Sequence, residues 1–393
     1  MENSRSLSPK LDVVCSGSAY EMGLAQGRAL QDRIRWGRAE LAQLEAFRME
    51  QPWWMPYPVF LKFAEHKVTA MVRSGVRASF PESHQRLAGI ADGAGMSLST
   101  LYLFTGLEAL MASVEGRIRI PVLSAACTAI AVRGKRSADN QPIIARNFDY
   151  LPIVQPLYSL RESRPAGGMR SLEFFTASMA GAIDGVNEAG LCITYNYAFT
   201  LDRPNRPSGM ISMAISEALA KCRSVQEAAD WISSRPRWGG GILMLADESG
   251  EMASLELSST QAKLRRPAQG GDCIFHTNCF FQPEMCTVQV PAAAIFTDRV
   301  PTPIRGKRVL QSADSRRDRL ALLLDNDEAL GSDRLRTILS DHGASGRPSD
   351  NSLCTHGGYW TTTASLQWFP RQRKVRVAYS ATCQAEYTEL RLS

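Results

Sequence analysis

Cys127-Thr128-Ala129-Ile130-Ala131-Val132 and Pro142-Ile143-Ile144-Ala145-Arg146-Asn147-Phe148 are the two stretches whose reading decides the fold. Both are apolar runs of strand length. The connection between them, Arg133 to Gln141, is polar and contains Gly134, Asp139 and Asn140. Two such runs about a turn-forming segment predict a β-hairpin. The spacing then allows Asp149, just past the second run, to fold back beside Cys127 at the start of the first.

Upstream of this hairpin the texture is helical, from about Tyr20 to Ala112. Tyr20 to Ile34 and Val68 to Val76 read as helix, and Ser97 caps an apolar helical pattern that follows it. Arg117 to Val122 turns β-like. Downstream, strands are expected at Leu172–Ser178, Gly190–Tyr195, Gly241–Ala246, Met252–Leu257 and Asp272–Thr277. Met210 to Cys222 reads as an amphipathic helix, and Ser224-Val225-Gln226-Glu227 as a capping box for a helix ending near Trp231. Arg316 to Leu324 reads as helix, and Thr361–Phe369 with Lys374–Ser380 as a closing hairpin. Arg161 to Arg170 and Phe281 to Arg308 are expected to be long loops. Strands in runs, with helices inserted in pairs, favour antiparallel sheets covered by helices over a parallel doubly wound sheet.

Composition sets the outer limits. Of 393 residues, 44% are hydrophobic and 21% charged, ordinary values for a globular chain with a sizeable core. The 45 basic and 39 acidic residues give a net charge of +6, spread along the chain. That mildly favours an anionic substrate and makes no case for nucleic acid. No uncharged apolar run is long enough to cross a bilayer, and the amino end has no signal-peptide core. The nine cysteines include no Cys-x-x-Cys pair, so reduced thiols and a cytoplasmic location are expected.

Phosphate-loop, His-Glu-x-x-His and Gly-x-Ser-x-Gly motifs are absent. Cys273, His276 and Cys279 offer metal-ligand types within seven residues. On a strand, however, His276 faces away from the two cysteines, and no fourth ligand is obvious. No metal and no cofactor are therefore expected. What remains is the surroundings of Cys127: small residues before it (Ser124, Ala125, Ala126), and Arg146 and Asp149 ending the partner strand. Arg146 suits lowering a thiol pKa or holding an anion, and Asp149 suits orienting an amine.

The stretch from Cys127-Thr128 to Arg146-Asn147-Phe148-Asp149-Tyr150 resembles the opening of mature bile-salt hydrolases and penicillin V acylases. With 126 residues ahead of Cys127, the whole is similar to the isopenicillin N acyltransferase-like family of self-cleaving N-terminal-nucleophile enzymes. His276-Thr277-Asn278, Asp341-His342, Cys354-x-His356, Cys383 to Tyr387 and the Gly-rich start from Gly17 to Gly27 carry the same likeness. The resemblance implies an α+β, four-layer αββα sandwich. A mainly helical segment 1–126 would be cut from a catalytic region 127–393 at Ala126–Cys127, leaving two associated chains. It implies Cys127 as nucleophile, Asp149 positioning its α-amine, Asn278 donating to the oxyanion, and Arg146 in the site. Ser315-Arg316 is similar to a Ser-Arg element lining the family's site, where Arg317 and Arg319 compete for the alignment; Tyr150 joins these as a substrate contact. Ser315 also reads as an ordinary helix N-cap. Ala126 departs from the glycine that precedes the nucleophile in the acyltransferase.

The reaction class so implied is hydrolysis or transfer of an acyl group at a small linear amide or an acyl-CoA thioester, through an acyl-Cys127 intermediate, with no nucleic-acid or membrane partner. A papain-like pairing of Cys127 with His276, His342 or His356 is the alternative chemistry. A non-catalytic binding protein of the same fold is the other.

Overall fold

The structure, a computed structural model, describes residues 8–112, 126–298 and 300–393. The β-like turn expected from Arg117 to Val122, and Ser124-Ala125, lie outside the described residues. The chain opens with β1 (Leu11–Gly17), then α1 (Ala19–Ala29), α2 (Gln31–Glu40), α3 (Glu45–Arg48), α4 (Tyr57–Ser79), α5 (Pro81–Ala94) and α6 (Leu98–Ala112). The expected hairpin follows as β2 (Ala126–Val132) and β3 (Ile143–Tyr150), antiparallel over seven residue pairs from Ala126↔Asp149 to Val132↔Ile143. Next come β4 (Tyr158–Pro165), β5 (Ser171–Thr176), β6 (Asp184–Asn187), β7 (Cys192–Ala198), β8 (Gly209–Met210), α7 (Ile211–Lys221) and α8 (Val225–Ser234). They are followed by β9 (Arg237–Trp238), β10 (Gly240–Ala246), β11 (Met252–Leu257), β12 (Ala262–Arg265), β13 (Cys273–His276) and α9 (Pro283–Cys286). The chain closes with α10 (Gln311–Leu324), α11 (Ser332–Leu339), β14 (Thr361–Phe369), β15 (Lys374–Ala378) and β16 (Thr388–Arg391).

Two sheets dominate. An eight-stranded sheet runs β1-β4-β5-β6-β7-β10-β11-β12, and a six-stranded sheet runs β13-β2-β3-β14-β15-β16. Every pairing in them is antiparallel except β1 with β4. Side chains alternate in direction along a strand, and this alternation builds the layers. On β2, Cys127, Ala129 and Ala131 point into the space between the sheets, against Leu172, Phe174 and Met244. Ile130 and Val132 point the other way, onto Leu320 of α10 and Leu335 and Ile338 of α11. The outer face of the larger sheet, with Phe175, Ile193 and Leu243, is covered by α7, α8 and the amino-terminal helices. The architecture is the αββα sandwich.

Three expectations need correction. Arg161 to Arg170 is not all loop, because β4 continues to Pro165. Its charges read as loop, but Arg161 is fully buried and bonds Glu173 of β5 and the carbonyls of Ala180 and Gly181. A matched, hydrogen-bonded ion pair lets a charged residue occupy a strand. The helix containing Arg316 begins five residues early, at Gln311, so Ser315 lies inside it and caps nothing. The helix capped by Ser224 runs past Trp231 to Ser234.

The Gly-rich start has a packing cause. Gly23 and Gly27 of α1 face Gly89 and Gly93 of α5. A Cβ on Gly23 would stand 2.1 Å from the Arg86 carbonyl oxygen, and one on Gly89 would stand 2.1 Å from that of Tyr20. The two backbones cross with no room for a side chain. Gly89→Ala should therefore cost about 2 kcal/mol of unfolding free energy, as overpacking against backbone does. Gly358→Ala, where the new Cβ meets only the Pro303 side chain at 3.4 Å, should stay within about 0.5 kcal/mol. Urea unfolding of the two variants checks this; equally small effects would contradict a backbone-to-backbone crossing.

Candidate active site around Cys127

Cys127 is the second residue of β2, and its thiol faces inward between the sheets, fully buried. The ladder sets Phe148 opposite it and Asp149 opposite Ala126. Arg146 and Phe148 share the inward face with the thiol, and the Arg146 guanidinium lies 5.1 Å from the Phe148 ring centre. By alternation Asp149 points to the opposite face, so its carboxylate stands behind the Ala126–Cys127 backbone rather than beside the sulfur. There it accepts hydrogen bonds from Thr362 Oγ1 at 2.6 Å and Thr355 Oγ1 at 3.2 Å.

The backbone of Cys127 is held from two sides. Its N–H donates to Asn278 Oδ1 at 2.6 Å, while Asn278 Nδ2 donates to the Tyr197 carbonyl at 2.7 Å. From α10, Arg316 Nη1 donates to the Cys127 carbonyl and to Thr128 Oγ1, and Nη2 donates to Asn278 Oδ1 at 2.8 Å. Thr277 Oγ1 bonds the Ala313 carbonyl at 3.0 Å and ties the helix to the segment carrying Asn278. Four fully buried charges lie around Cys127: Arg146, Asp149, Asp184 and Arg316. Arg146 is in an ion pair with Asp184, which also accepts from the Tyr195 N–H at 3.2 Å and Trp368 Nε1 at 3.4 Å.

Burial controls the protonation states. It pushes the Cys127 thiol up to about 11, and Arg146 pulls against that rise. It also pushes Asp149 up to about 6, with Arg316 and the Thr362 and Thr355 hydroxyls favouring the carboxylate. Two positive groups and two carboxylates thus surround a thiol that is neutral in the continuous chain.

The expected residues separate into distinct places. Cys127, Arg146, Asp149 and Asn278 converge. Arg316 joins them beneath the Cys127 backbone, whereas Arg317 and Arg319 do not. Arg317 pairs with Asp314 and Asp318, and Arg319 pairs with Asp341. Ser315, half-buried within α10, is not brought into this network. Tyr150 stacks on Phe148 at 5.5 Å and lines an apolar cavity of about 190 Å³ with Trp36, Tyr195, Tyr197 and Met213. That cavity reaches Phe148 but not the sulfur. Sequence reading missed Asp184, Thr355 and Thr362, all of them partners of a charge it had singled out; a buried Arg146 or Asp149 calls for such partners, but a linear sequence does not say from where.

Among the described residues no histidine is hydrogen-bonded to the Cys127 thiol. His276 Nδ1 bonds Ser254 Oγ at 2.9 Å on the other sheet, and burial holds its pKa well below the usual range. His342 and His356 stack edge to face on one another, and His356 meets Cys354 and Cys383 instead. The papain-like pairing has no geometric support among the described residues.

No curated protein matches this chain in sequence. Solved structures similar to it include an N-acylethanolamine-hydrolyzing acid amidase ortholog of Caenorhabditis elegans, with 15% identity over 62% of this chain and 93% of that one and a TM-score of 0.41. A variant of conjugated bile acid hydrolase from Clostridium perfringens has 13% identity over 68% and 92%, with a TM-score of 0.38. Penicillin V acylase from Agrobacterium tumefaciens has 13% identity over 68% and 86%, also with a TM-score of 0.38. Residues 136–345, more than half of the chain, match the family described as acyl-coenzyme A:6-aminopenicillanic acid acyl-transferase. The chain belongs to the acyl-coenzyme A:6-aminopenicillanic acid acyl-transferase family.

Proposed function

We propose that this chain is a cysteine amidohydrolase or acyltransferase, activated by its own cleavage at Ala126–Cys127 and acting on a small linear amide or acyl thioester. The observation that carries the reading is the bond from the Cys127 N–H to Asn278 Oδ1, with the Asp149 carboxylate behind the same backbone. Cleavage would turn that held N–H into a held α-amine.

In the activation step the Cys127 sulfur attacks the Ala126 carbonyl carbon. The amide C–N bond breaks, the thiol proton passes to nitrogen, and a thioester to Ala126 remains. Water hydrolyses the thioester, giving the Ala126 carboxylate and a free thiol. The new α-amine, with an unperturbed pKa of about 7.7–8.0, is a suitable base near neutral pH. In turnover it takes the thiol proton as sulfur attacks the substrate acyl carbon, then gives that proton to the leaving amine. Water or a second amine resolves the acyl-enzyme.

Asp149 and Asn278 Oδ1 would hold the ammonium form of this amine. The oxyanion donor is proposed to be Asn278 Nδ2, which would share its present bond to the Tyr197 carbonyl. Arg146 already neutralises Asp184, so it is better suited to lowering the Cys127 thiol pKa than to binding a substrate carboxylate. The aromatic lining of the cavity next to Phe148 favours an apolar acyl chain. The two cleaved chains would stay together because β1, ahead of the cut, is hydrogen-bonded along β4, and Gln26 bonds Arg161.

A panel of N-acyl amines and N-acyl amino acids of increasing chain length, with and without acyl-CoA and free amine, tests this reading. Small apolar acyl amides should turn over, and mass spectrometry of quenched enzyme should find the acyl group on Cys127. Cys127→Ala should lose all turnover. Cleavage of protein substrates with none of the small amides would overturn the proposal. Faster transfer to an added amine than to water assigns an acyltransferase.

The pH profile offers a second check. The Thr362 hydroxyl donates to Asp149 and favours its ionised form, so Thr362→Val should raise the Asp149 pKa. The carboxylate is needed ionised, so activity should then be lost at a higher pH on acidification. The acid limb of kcat/KM should move upward, with a smaller change on the plateau. A downward shift would contradict the role of Asp149.

A further inference from the structure

A second cluster lies on the helix side of the six-stranded sheet. His342, Cys354, His356 and Cys383 each present a ligand atom, and these four atoms all lie within 4.8 Å of one another. Cys354 Sγ is 3.4 Å from His356 Nε2, and Cys383 Sγ is 3.5 Å from the same nitrogen. The His342 and His356 rings meet edge to face with centres 5.1 Å apart. Cys354 is buried and the other three are half-buried. His342 Nε2 is itself buried and has no hydrogen-bond partner.

Hydrogen bonding alone explains this poorly. Two thiols approach one imidazole nitrogen, which has a single lone pair to offer, and a second imidazole nitrogen is left with nothing. A tetrahedral cation at the centre would use all four atoms. With metal–sulfur and metal–nitrogen bonds of about 2.3 and 2.0–2.1 Å, the S···N edge of a tetrahedron is about 3.6 Å. The two sulfur–nitrogen separations above are close to that edge. Two sulfur and two imidazole ligands, tetrahedrally disposed, are the donor set of a structural zinc site.

We infer that His342, Cys354, His356 and Cys383 form a structural zinc site that braces the loops behind Asp149. Binding displaces one proton from each thiol, and the two thiolates neutralise the dication.

The position gives the site a purpose. Its ligands come from three segments: the end of α11, the Leu353–His356 stretch and the turn at Thr382. Each segment is also tied to the sheet near Asp149. Asn147 of β3 donates to the Leu339 and Leu353 carbonyls and accepts from Thr382 Oγ1. Thr355 stands between two of the ligands in sequence. Its hydroxyl donates to Asp149, and its N–H donates to Thr362 Oγ1 at 2.8 Å. The cation would thus fix the two threonines that hold Asp149, as a positioning element and not a participant in chemistry. The site stands whether or not Cys127 acts as proposed.

The test uses the full chain, purified under reducing conditions, and two probes, Zn2+ and Co2+. Metal analysis of the dialysed protein should find about one zinc per chain, and chelation should lower the melting temperature. Co2+ added to the chelated, reduced protein should give the visible bands of tetrahedral cobalt with thiolate-to-metal charge transfer, saturating at one equivalent and bleached by Zn2+. The Cys354→Ser, Cys383→Ser double variant should lack those bands; should it fail to fold, the wild-type titration decides. Folded, reduced wild-type protein that gives no such spectrum overturns the inference. So does a Cys354–Cys383 disulfide in protein purified with reductant.

Discussion

The buried guanidinium of Arg316 is the constraint on which the rest of the site depends. It reaches from α10 through the helix layer and bonds the Cys127 carbonyl, the Thr128 hydroxyl and Asn278 Oδ1. An unpaired cation at this depth would cost several kcal/mol, so Arg316 needs these partners and the nearby Asp149 as much as they need it. Its fork fixes β2 against the Asn278 segment, and the β2–β3 ladder then fixes Asp149 relative to Ala126–Cys127. Backbone geometry at the junction is therefore set by a side chain from a different layer. Lysine, with a single ammonium, could not make the same three bonds in one plane.

The same arrangement explains why thiol and carboxylate occupy opposite faces of one hairpin. The sulfur and Arg146 belong to the space between the sheets, next to the aromatic cavity, while Asp149 belongs to the helix side with Thr355 and Thr362. The paired backbones of Ala126–Cys127 and Phe148–Asp149 lie between them. In the proposed mechanism the carboxylate that orients the amine sits behind that backbone, and the thiol that attacks the substrate sits in front of it. The zinc site behind Asp149 extends this division: structural support accumulates on the helix side of the six-stranded sheet, while the cavity beside Phe148 and Tyr150 runs on to the outer face of the larger sheet at Tyr195, Tyr197 and Met213.

Much of this was legible in the chain. The β2–β3 hairpin, β11 and the β14–β15 hairpin follow from apolar runs bounded by turn residues, and α7 from helical periodicity. Arg161 was misread because a charged residue in a strand looks like loop until its partner Glu173 is known. Ser315 was misread because a serine before Arg316 looks like a cap until the helix is seen to begin at Gln311. The metal ligands escaped for a related reason. Cys273, His276 and Cys279 lie close in sequence and drew the search, but alternation on β13 and its continuation separates them. His342, Cys354, His356 and Cys383 lie across three segments, and only the fold brings them together. Periodicity reports local structure; long-range pairing of polar groups leaves no local trace.

The central claim is that Cys127 becomes a chain terminus. Intact mass and amino-terminal sequencing of freshly purified wild-type protein test it most directly. The account predicts two species that copurify, one ending at Ala126 and the other beginning Cys127-Thr128-Ala129, and a single uncut chain for Cys127→Ala. A wild-type chain that stays continuous through Ala126–Cys127 while turning over acyl amides at full rate would contradict it.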